Sequence, residues 1–164
     1  MEEVKVLKIR AYQSNDYNEI THLFYNTVHS INIKDYTKAQ LDVWATGTVD
    51  ITIWKKSLMQ NHTVVCIKDG IIVGFGDLDS TGYFDRLYVH KDYQGEGIAT
   101  AIANDIENYA IKNELLLITT HASITAKHFF EQRGYKIIKG QQVERKGIKL
   151  TNFVMEKIIG GIIL

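Results

Sequence analysis

The first half of the chain alternates between strand-like and helical spacing of its apolar residues. A strand is expected around residues 4–10, and apolar side chains then recur every three or four positions over 16–31. That spacing predicts an amphipathic helix, and two shorter helices are expected to follow it. Apolar runs at 63–67 and 71–78 then predict two strands, joined by the tight turn that Asp69-Gly70 favours.

The second half repeats strand and helix patterns and ends on two strands. The pattern predicts a strand at 82–89, a helix at 97–112, a strand at 115–119, a short helix after Ser123 or Thr125, and final strands near 135–144 and 148–157. Strands and helices in this order indicate an α/β protein. We expect a mixed central β-sheet of about six or seven strands with helices on both faces.

Composition and charge narrow the classes of protein. The 164 residues, 45% of them hydrophobic, suit one globular domain. Nineteen basic and nineteen acidic side chains give no net charge, so nothing favours a nucleic acid or an anionic membrane as partner. No apolar run approaches the ~20 residues of a membrane span. A single cysteine, Cys66, is typical of a reducing compartment, and we expect a cytoplasmic protein.

No linker or repeat divides the chain, which contains no proline. We therefore expect one domain over residues 1–157, followed by an apolar tail at 158–164. The tail is too short to span a bilayer and too apolar to stay in water. It is expected to pack on the body of the protein or on a second subunit, which would make a homodimer.

Residues 94–99, Gln-Gly-Glu-Gly-Ile-Ala, stand between a predicted strand and a predicted helix. Glycines allow the backbone to approach a ligand closely, and the unpaired N–H groups of a first helical turn attract anions. A diphosphate site is therefore expected, and a turn that merely needs flexible residues is the alternative. A dinucleotide site of the Rossmann type needs a third glycine, but Thr100 stands at that position.

Two segments of the chain match the signatures of one family. The first has Gln94, Gly97 and Ala99 in a short motif that follows Leu87-Tyr88-Val89. The second segment carries Ser123, Ala126, Phe129, Phe130, Glu131, Gly134 and Tyr135. Together they resemble the Gcn5-related N-acetyltransferases, the GNAT superfamily. Residues 122–127 and Thr151-Asn152-Phe153 are most similar to the YafP-like bacterial members.

The resemblance implies the GNAT fold and acetyl-coenzyme A as the acyl donor. It implies that backbone amides hold the diphosphate, and the residues concerned are Gln94, Gly95, Glu96, Gly97, Ile98, Ala99 and Thr100. It further implies that the strand with Leu87, Tyr88 and Val89 offers backbone groups to the pantetheine arm and the acetyl carbonyl. Ser123 stands where the family usually has asparagine, so it is either a pantetheine contact or a helix cap.

Asp85 and His121 are the candidate bases that would deprotonate a substrate ammonium. Asp85 is expected to share a strand face with Leu87 and Val89 if no bulge intervenes, and a solvated or paired carboxylate is the alternative. His121 is expected just after the parallel strand, where an ordinary imidazole, with a pKa of ~6.5, suits a base. An exposed histidine without a role is the alternative there.

The general acid has no assigned residue at this stage. Phe130 stands where many members of the family carry the tyrosine that protonates the leaving thiolate. Tyr88, Tyr109, Tyr135 or a water are the candidate substitutes. The histidines show no paired ligand spacing, so no metal is expected.

Direct acetyl transfer from the thioester to a primary amine of a small molecule or peptide is therefore the leading function. A coenzyme A-binding or sensing module with little or no turnover is the alternative, because the acid position has changed. An enzyme that uses a longer acyl donor is a further alternative. Cys66, in the middle of a strand, is interpreted as a small hydrophobic residue and not as an acyl-carrying nucleophile.

Overall fold

The computed structural model describes residues 6–161. Within this range the chain forms β1 (Lys8–Ala11), α1 (Tyr17–Ile31), α2 (Lys38–Trp44), α3 (Ile51–Gln60), β2 (His62–Lys68), β3 (Ile71–Leu78), β4 (Tyr83–Val89), α4 (Ile98–Lys112), β5 (Leu117–Ser123), α5 (Lys127–Gln132), β6 (Lys136–Arg145) and β7 (Ile148–Ile158). The predicted α/β class is confirmed. The first residues of the predicted opening strand lie outside the described part of the chain.

The seven strands form one sheet in the order β1-β2-β3-β4-β5-β7-β6. Neighbouring strands are antiparallel, except that β4 and β5 run parallel. The parallel pairing covers only two positions, Tyr83 beside Thr119 and Phe84 beside Thr120. Beyond them the two strands separate, and a cleft opens in the middle of the sheet.

Helices cover both faces of the sheet, as expected, and each face has its own core. On one face α4 buries Ile98, Ile102 and Ile106 against the strands, and Phe130 of α5 joins them. On the other face α1 packs against β3 and β4, α2 against β7 and α3 against β2, with Phe24 of α1 near the centre. The cleft between β4 and β5 is therefore enclosed by helices on both sides.

Two glycines in β3 allow α4 to lie directly on the sheet. A Cβ at Gly74 would stand 2.6 Å from Cγ2 of Ile98, and a Cβ at Gly76 would stand 2.9 Å from Cγ2 of Ile102. Both distances are too short for carbon atoms, so a side chain at either position would push the helix away. The small residues thus bring the start of α4 close to the end of β4.

Two boundaries differ from the sequence expectations. The strand predicted at 115–119 runs over Leu117–Ser123, because β7 pairs with it as far as Ser123. His121 therefore lies within β5 and not after it. The apolar C-terminal segment begins on the sheet, where Ile158 ends β7 and the N–H groups of Ile159 and Gly160 donate to the Leu116 carbonyl.

The remainder of that segment, residues 162–164, lies outside the described part of the chain. The division into a domain at 1–157 and a tail at 158–164 stays a prediction. Across residues 6–161 no helix has the length and hydropathy that crossing a membrane requires.

Candidate active site

The separation of β4 from β5 leaves one edge of β4 without a strand partner. His90 donates its N–H to the Val73 carbonyl of β3 over 2.8 Å. Because bonding directions alternate along an antiparallel strand, the N–H groups of Leu87 and Val89 point to the opposite edge, towards the cleft. The Val89 carbonyl accepts bonds from Thr27 Oγ1 at 2.9 Å and Gln94 Nε2 at 2.8 Å. The two N–H groups are the donors that remain for a ligand.

A glycine-bearing loop connects the end of β4 to the start of α4. Gly95 and Gly97 have φ angles of 74° and 81°, in the left-handed region that favours glycine, and Gly97 is the residue before the first helical turn. A Cβ at either position would meet no atom within 4 Å. The amides at the start of α4 therefore adjoin open space, as an anion site requires.

Gln94 and Glu96 in this loop have structural partners of their own. The Gln94 side chain donates to the carbonyls of Val89 and His90 and so fixes the loop on β4. The Glu96 carboxylate forms an ion pair with Lys68 Nζ of β2, which also lies 5.8 Å from the Tyr93 ring centroid. Lys68 compensates a negative charge that would otherwise repel a phosphate.

Two cavities meet beside β4. The first, of about 270 Å³, occupies the space between β4 and β5 and reaches Gln94 and Ala99, and we call it the cleft. The second, of about 440 Å³, lies between the sheet and helices α1–α3, and we call it the helix-side cavity. Six residues line both: Trp44, Asp85, Arg86, Tyr88, His121 and Ser123. This junction is where a molecule in one cavity can react with a molecule in the other.

Asp85 lies at the junction because β4 contains a bulge. Arg86 pairs with Asp77 and Phe84 pairs with Leu78, which leaves Asp85 without an opposite residue on β3. A bulge interrupts the alternation of faces. The condition under which Asp85 is expected to share a face with Leu87 and Val89, the absence of a bulge, is therefore not met. Its carboxylate lies 3.7 Å from Nη1 of Arg86.

Arg86, for which the sequence indicated no role, is held by a buried carboxylate. Its guanidinium pairs with Asp77 Oδ2, donates to Ser57 Oγ at 2.7 Å and stacks 4.5 Å from the Trp54 ring centroid. Asp77 is fully buried, and that burial raises the pKa of its carboxyl to about 6, against the opposing effect of Arg86. Because the bulge interrupts the alternation of strand faces, the sequence pattern alone does not predict that Arg86 pairs with Asp77.

His121 and Ser123 reach the junction from β5. The His121 ring is exposed and packs edge-on against Tyr83, with 5.2 Å between centroids. Ser123 Oγ accepts the Ala126 N–H over 3.0 Å in the turn before α5, whose N-cap residue is Ala126, and the serine hydroxyl can still donate its proton elsewhere. Both residues line both cavities.

Of the three tyrosines named as substitute acids, only Tyr88 lines the junction. Tyr109 stacks on His62 with 3.8 Å between centroids, and Tyr135 is buried, its hydroxyl 3.3 Å from Glu107. Phe130 is 3% exposed and packs edge-on against Phe84, so it is a core residue. Burial raises the pKa of Tyr88 to about 12, which keeps its hydroxyl protonated at neutral pH.

A sequence model of the family described as "Acetyltransferase (GNAT) domain" matches residues 32–157. The chain belongs to the GNAT acetyltransferase family. The residues matched by the family model include the whole junction, from Trp44 to Ser123, and both signature segments. The GNAT domain of this protein is therefore an acetyltransferase domain, and the family assignment made on those segments is confirmed.

Similar proteins agree with this assignment. The GNAT domain is 35% identical over 149 residues, 91% of this chain and 94% of the other, to the uncharacterised N-acetyltransferase YafP of Escherichia coli K12. A Gcn5-related N-acetyltransferase structure from Rhodopseudomonas palustris, described as "Aminotransferase, Class-II", superposes with a TM-score of 0.89 and 28% identity, over 96% of this chain and 99% of that one.

A more distant fold match is yncA, an acetyltransferase of Salmonella typhimurium whose structure contains acetyl-CoA. It has a TM-score of 0.70 and 16% identity, and the match covers 94% of each chain. Within residues 6–161 no group of three or more histidine, cysteine, aspartate or glutamate side chains could hold a metal ion.

Proposed function

We propose that this GNAT domain transfers an acetyl group directly from acetyl-coenzyme A to the primary amine of a small molecule or peptide. The observation that carries the proposal is the junction: a cleft that reaches the glycine-bearing loop and the start of α4 meets a second cavity beside an unpaired strand edge. One cavity suits the donor and the other suits the acceptor.

The donor would lie along the cleft. Backbone amides of residues 94–100 would hold the diphosphate at the start of α4. The Val89 N–H would bond the acetyl carbonyl and stabilise the negative charge that develops on its oxygen, while Leu87 would bond the pantetheine arm. The hydroxyl of Ser123 would contact the same arm from β5.

The acceptor amine must lose a proton before or during its attack on the carbonyl carbon. Asp85 would bind the ammonium group, and His121 would receive the proton, directly or through one water. The nitrogen then forms the new C–N bond as the C–S bond breaks. We expect Asp85→Asn mainly to raise KM for the amine and His121→Gln mainly to lower kcat.

Tyr88 would stabilise the departing sulfur. Its pKa of about 12 lies well above the ~8.5 of an ordinary thiol, so full proton transfer to the thiolate is unfavourable. The hydroxyl would act instead as a hydrogen-bond donor, and the thiolate would take its proton from water. This assignment accounts for a GNAT domain that has Phe130 at the usual acid position.

Calorimetry with acetyl-coenzyme A, followed by an amine screen that monitors release of the free thiol, tests the proposal. We expect saturable binding and turnover well above the rate of hydrolysis. Absence of binding by folded protein at high micromolar acetyl-coenzyme A would contradict it. Binding without turnover on any amine would favour the coenzyme A-sensing alternative. Propionyl- and succinyl-coenzyme A, tested in parallel, would reveal a longer natural donor.

We also propose a cytoplasmic location and, through the apolar C-terminal residues, a homodimer. The exposed Ile158 at the end of β7 supports the second point. Small-angle scattering at several concentrations measures the assembly, and a monomer at the highest concentration would contradict the dimer.

A further inference from the structure

Two polar groups of the helix-side cavity have no partner within residues 6–161. Oδ1 of Asn152 is buried without a hydrogen bond. Arg145, at the end of β6, lines the same cavity, and no carboxylate of the described residues lies within 4.0 Å of its guanidinium. Buried polar atoms are almost always satisfied in folded proteins. The buried Asn152 oxygen therefore calls for a ligand that donates a hydrogen bond to it. Arg145, which is exposed, adds to the same cavity a positive charge that is unpaired among the described residues.

The charges of this cavity have an uneven distribution. Arg86 already faces two carboxylates, those of Asp77 and Asp85. These three groups together leave one negative charge, and it lies at the junction where the amine must react. Arg145 supplies a separate positive charge from the β6–β7 hairpin. The cavity thus presents a net negative group around Asp85 and a separate positive group, Arg145, on another element.

Backbone register explains how these side chains reach the same cavity. Asn152 of β7 lies opposite Ser123 of β5 and Gln141 of β6. Arg145 is four residues beyond Gln141, and side chains at even spacing share a strand face. Arg145 and Asn152 do not line the cleft. Both side chains are therefore placed to contact an acceptor in the helix-side cavity and not a coenzyme in the cleft.

We propose that the acceptor is a primary amine that also carries a carboxylate, an inference that rests on the proposed acetyl transfer. Asp85 and the Asn152 amide oxygen would accept the hydrogen bonds of its ammonium group. Arg145 would pair with its carboxylate, for which a planar guanidinium fork is well suited. The cavity wall also contains Phe24, Val43, Trp54 and Leu150, on which an apolar or aromatic part of the acceptor can pack, beside polar residues such as Thr48 and Thr151.

A set of three matched amines tests this proposal. Phenylalanine, phenylalaninamide and phenethylamine share one ring and one primary amine, but only the first carries a carboxylate. Rates would be measured as kcat/KM through release of free coenzyme A. We expect phenylalanine to be preferred by about tenfold or more over the other two, because the Arg145 bond is made only to the carboxylate.

Two variants that each remove one positive charge distinguish a specific contact between Arg145 and the carboxylate from a general electrostatic effect. Arg145→Gln is expected to abolish the preference for phenylalanine by raising its KM, so that phenylalanine and phenethylamine react with similar kcat/KM. Lys149→Gln, on the same hairpin but exposed and away from the cavity, is expected to retain the wild-type preference. Circular dichroism would establish that both variants are folded.

The proposal is overturned if the three amines react equally, if phenethylamine is preferred, if no carboxylate-bearing amine is acetylated, or if Arg145→Gln keeps the preference. In each of these cases calorimetric binding of acetyl-coenzyme A by the same samples would leave the proposed acetyl transfer intact. Absence of that binding would contradict the proposed function itself.

Discussion

Single residues determine the chemistry that this junction can support. Tyr88 belongs to a strand, and its hydroxyl reaches the junction from the face opposite to Phe130. Its ring lies edge-on to Phe24, with 4.9 Å between centroids, and stacks at 5.7 Å on Phe75. Such packing fixes the phenol in one position, so a hydrogen-bond donor is supplied without a conformational change.

Replacement of Tyr88 by phenylalanine tests that role. We expect kcat to fall by about 10- to 100-fold, the loss of one hydrogen bond to a charged atom, with little change in KM for acetyl-coenzyme A. Steady-state kinetics measure both. Tyr109→Phe, which alters the same group on α4 away from the junction, is the control and should retain wild-type kcat. Unchanged kcat in Tyr88→Phe would remove it from the mechanism.

Asp77 should make stability depend on pH. A carboxyl whose pKa is raised from 3.8 to about 6 holds its proton more tightly in the folded state than in the unfolded one. Its contribution to the free energy of unfolding is therefore greatest at acid pH and declines as pH rises towards 6.

We expect the difference in unfolding free energy between wild type and Asp77→Asn to fall by about 2 kcal/mol from pH 4.5 to pH 7. Urea denaturation at both pH values measures it, and the subtraction removes the other titrating groups. A difference that is constant with pH would show that Asp77 has an ordinary pKa in the folded protein.

At the scale of elements, the placement of α4 couples the fold to the site. Gly74 and Gly76 let α4 approach β3, and Glu107 on the far side accepts bonds from Arg133 at 2.9 Å and Lys157 at 2.7 Å. The helix is thus fixed at both faces, and its first turn cannot drift from the end of β4. An anion site on a fixed helix needs no reorganisation when a ligand binds.

Gly97→Ala is expected to damage ligand binding more than the fold. A side chain in the left-handed conformation costs about 1–2 kcal/mol. The added methyl group also projects into the space that a phosphate would occupy, so Kd for coenzyme A should rise by about tenfold or more. Thermal unfolding and calorimetry measure the two effects.

Gly147→Ala is the matched control for that experiment. Gly147 lies in the β6–β7 turn at a φ of 78°, and a Cβ there also meets nothing within 4 Å. It should lose similar stability and bind coenzyme A as wild type does. Equal losses of affinity in both variants would show that the effect is general destabilisation.

The sequence alone predicted most elements and named Asp85, Tyr88, His121 and Ser123, but it did not indicate how Asp85 is placed or which other residues line the helix-side cavity. Periodicity identifies α1, α4 and the strands because each buries one regular face. It fails at Asp85, where one extra residue in β4 reverses the alternation, and at Arg145 and Asn152, which meet only through the pairing of β5, β6 and β7. Contacts between residues distant in sequence leave no local pattern.

At the scale of the whole molecule, two hydrophobic cores share one sheet. Cys66 of β2 is fully buried in the core beneath α4, and burial raises the pKa of its thiol. A thiol that is neither exposed nor ionised does not react with disulfide reagents. Its reaction requires the sheet to open.

We therefore expect Cys66 to stay unlabelled by an aromatic disulfide reagent in native buffer and to react fully in denaturant. The labelling rate in native buffer should track the global unfolding equilibrium as urea is added. Rapid stoichiometric labelling of the native protein would contradict the packing described for β2. Cys66→Ala should remain folded and bind coenzyme A normally.

Because β4 and β5 pair at only two positions, part of the β4 edge has no strand partner, and such an edge is a site at which chains can aggregate. An unpaired strand edge normally templates the addition of another chain, and proteins keep such edges short, charged or covered. Here the edge lies inside the sheet, where α1 covers it and Thr27 occupies the Val89 carbonyl. Because Thr27 and Ile31 of α1 line the cleft, the helix shields this strand edge from other chains on that side, while the edge remains within reach of a ligand that enters the cleft.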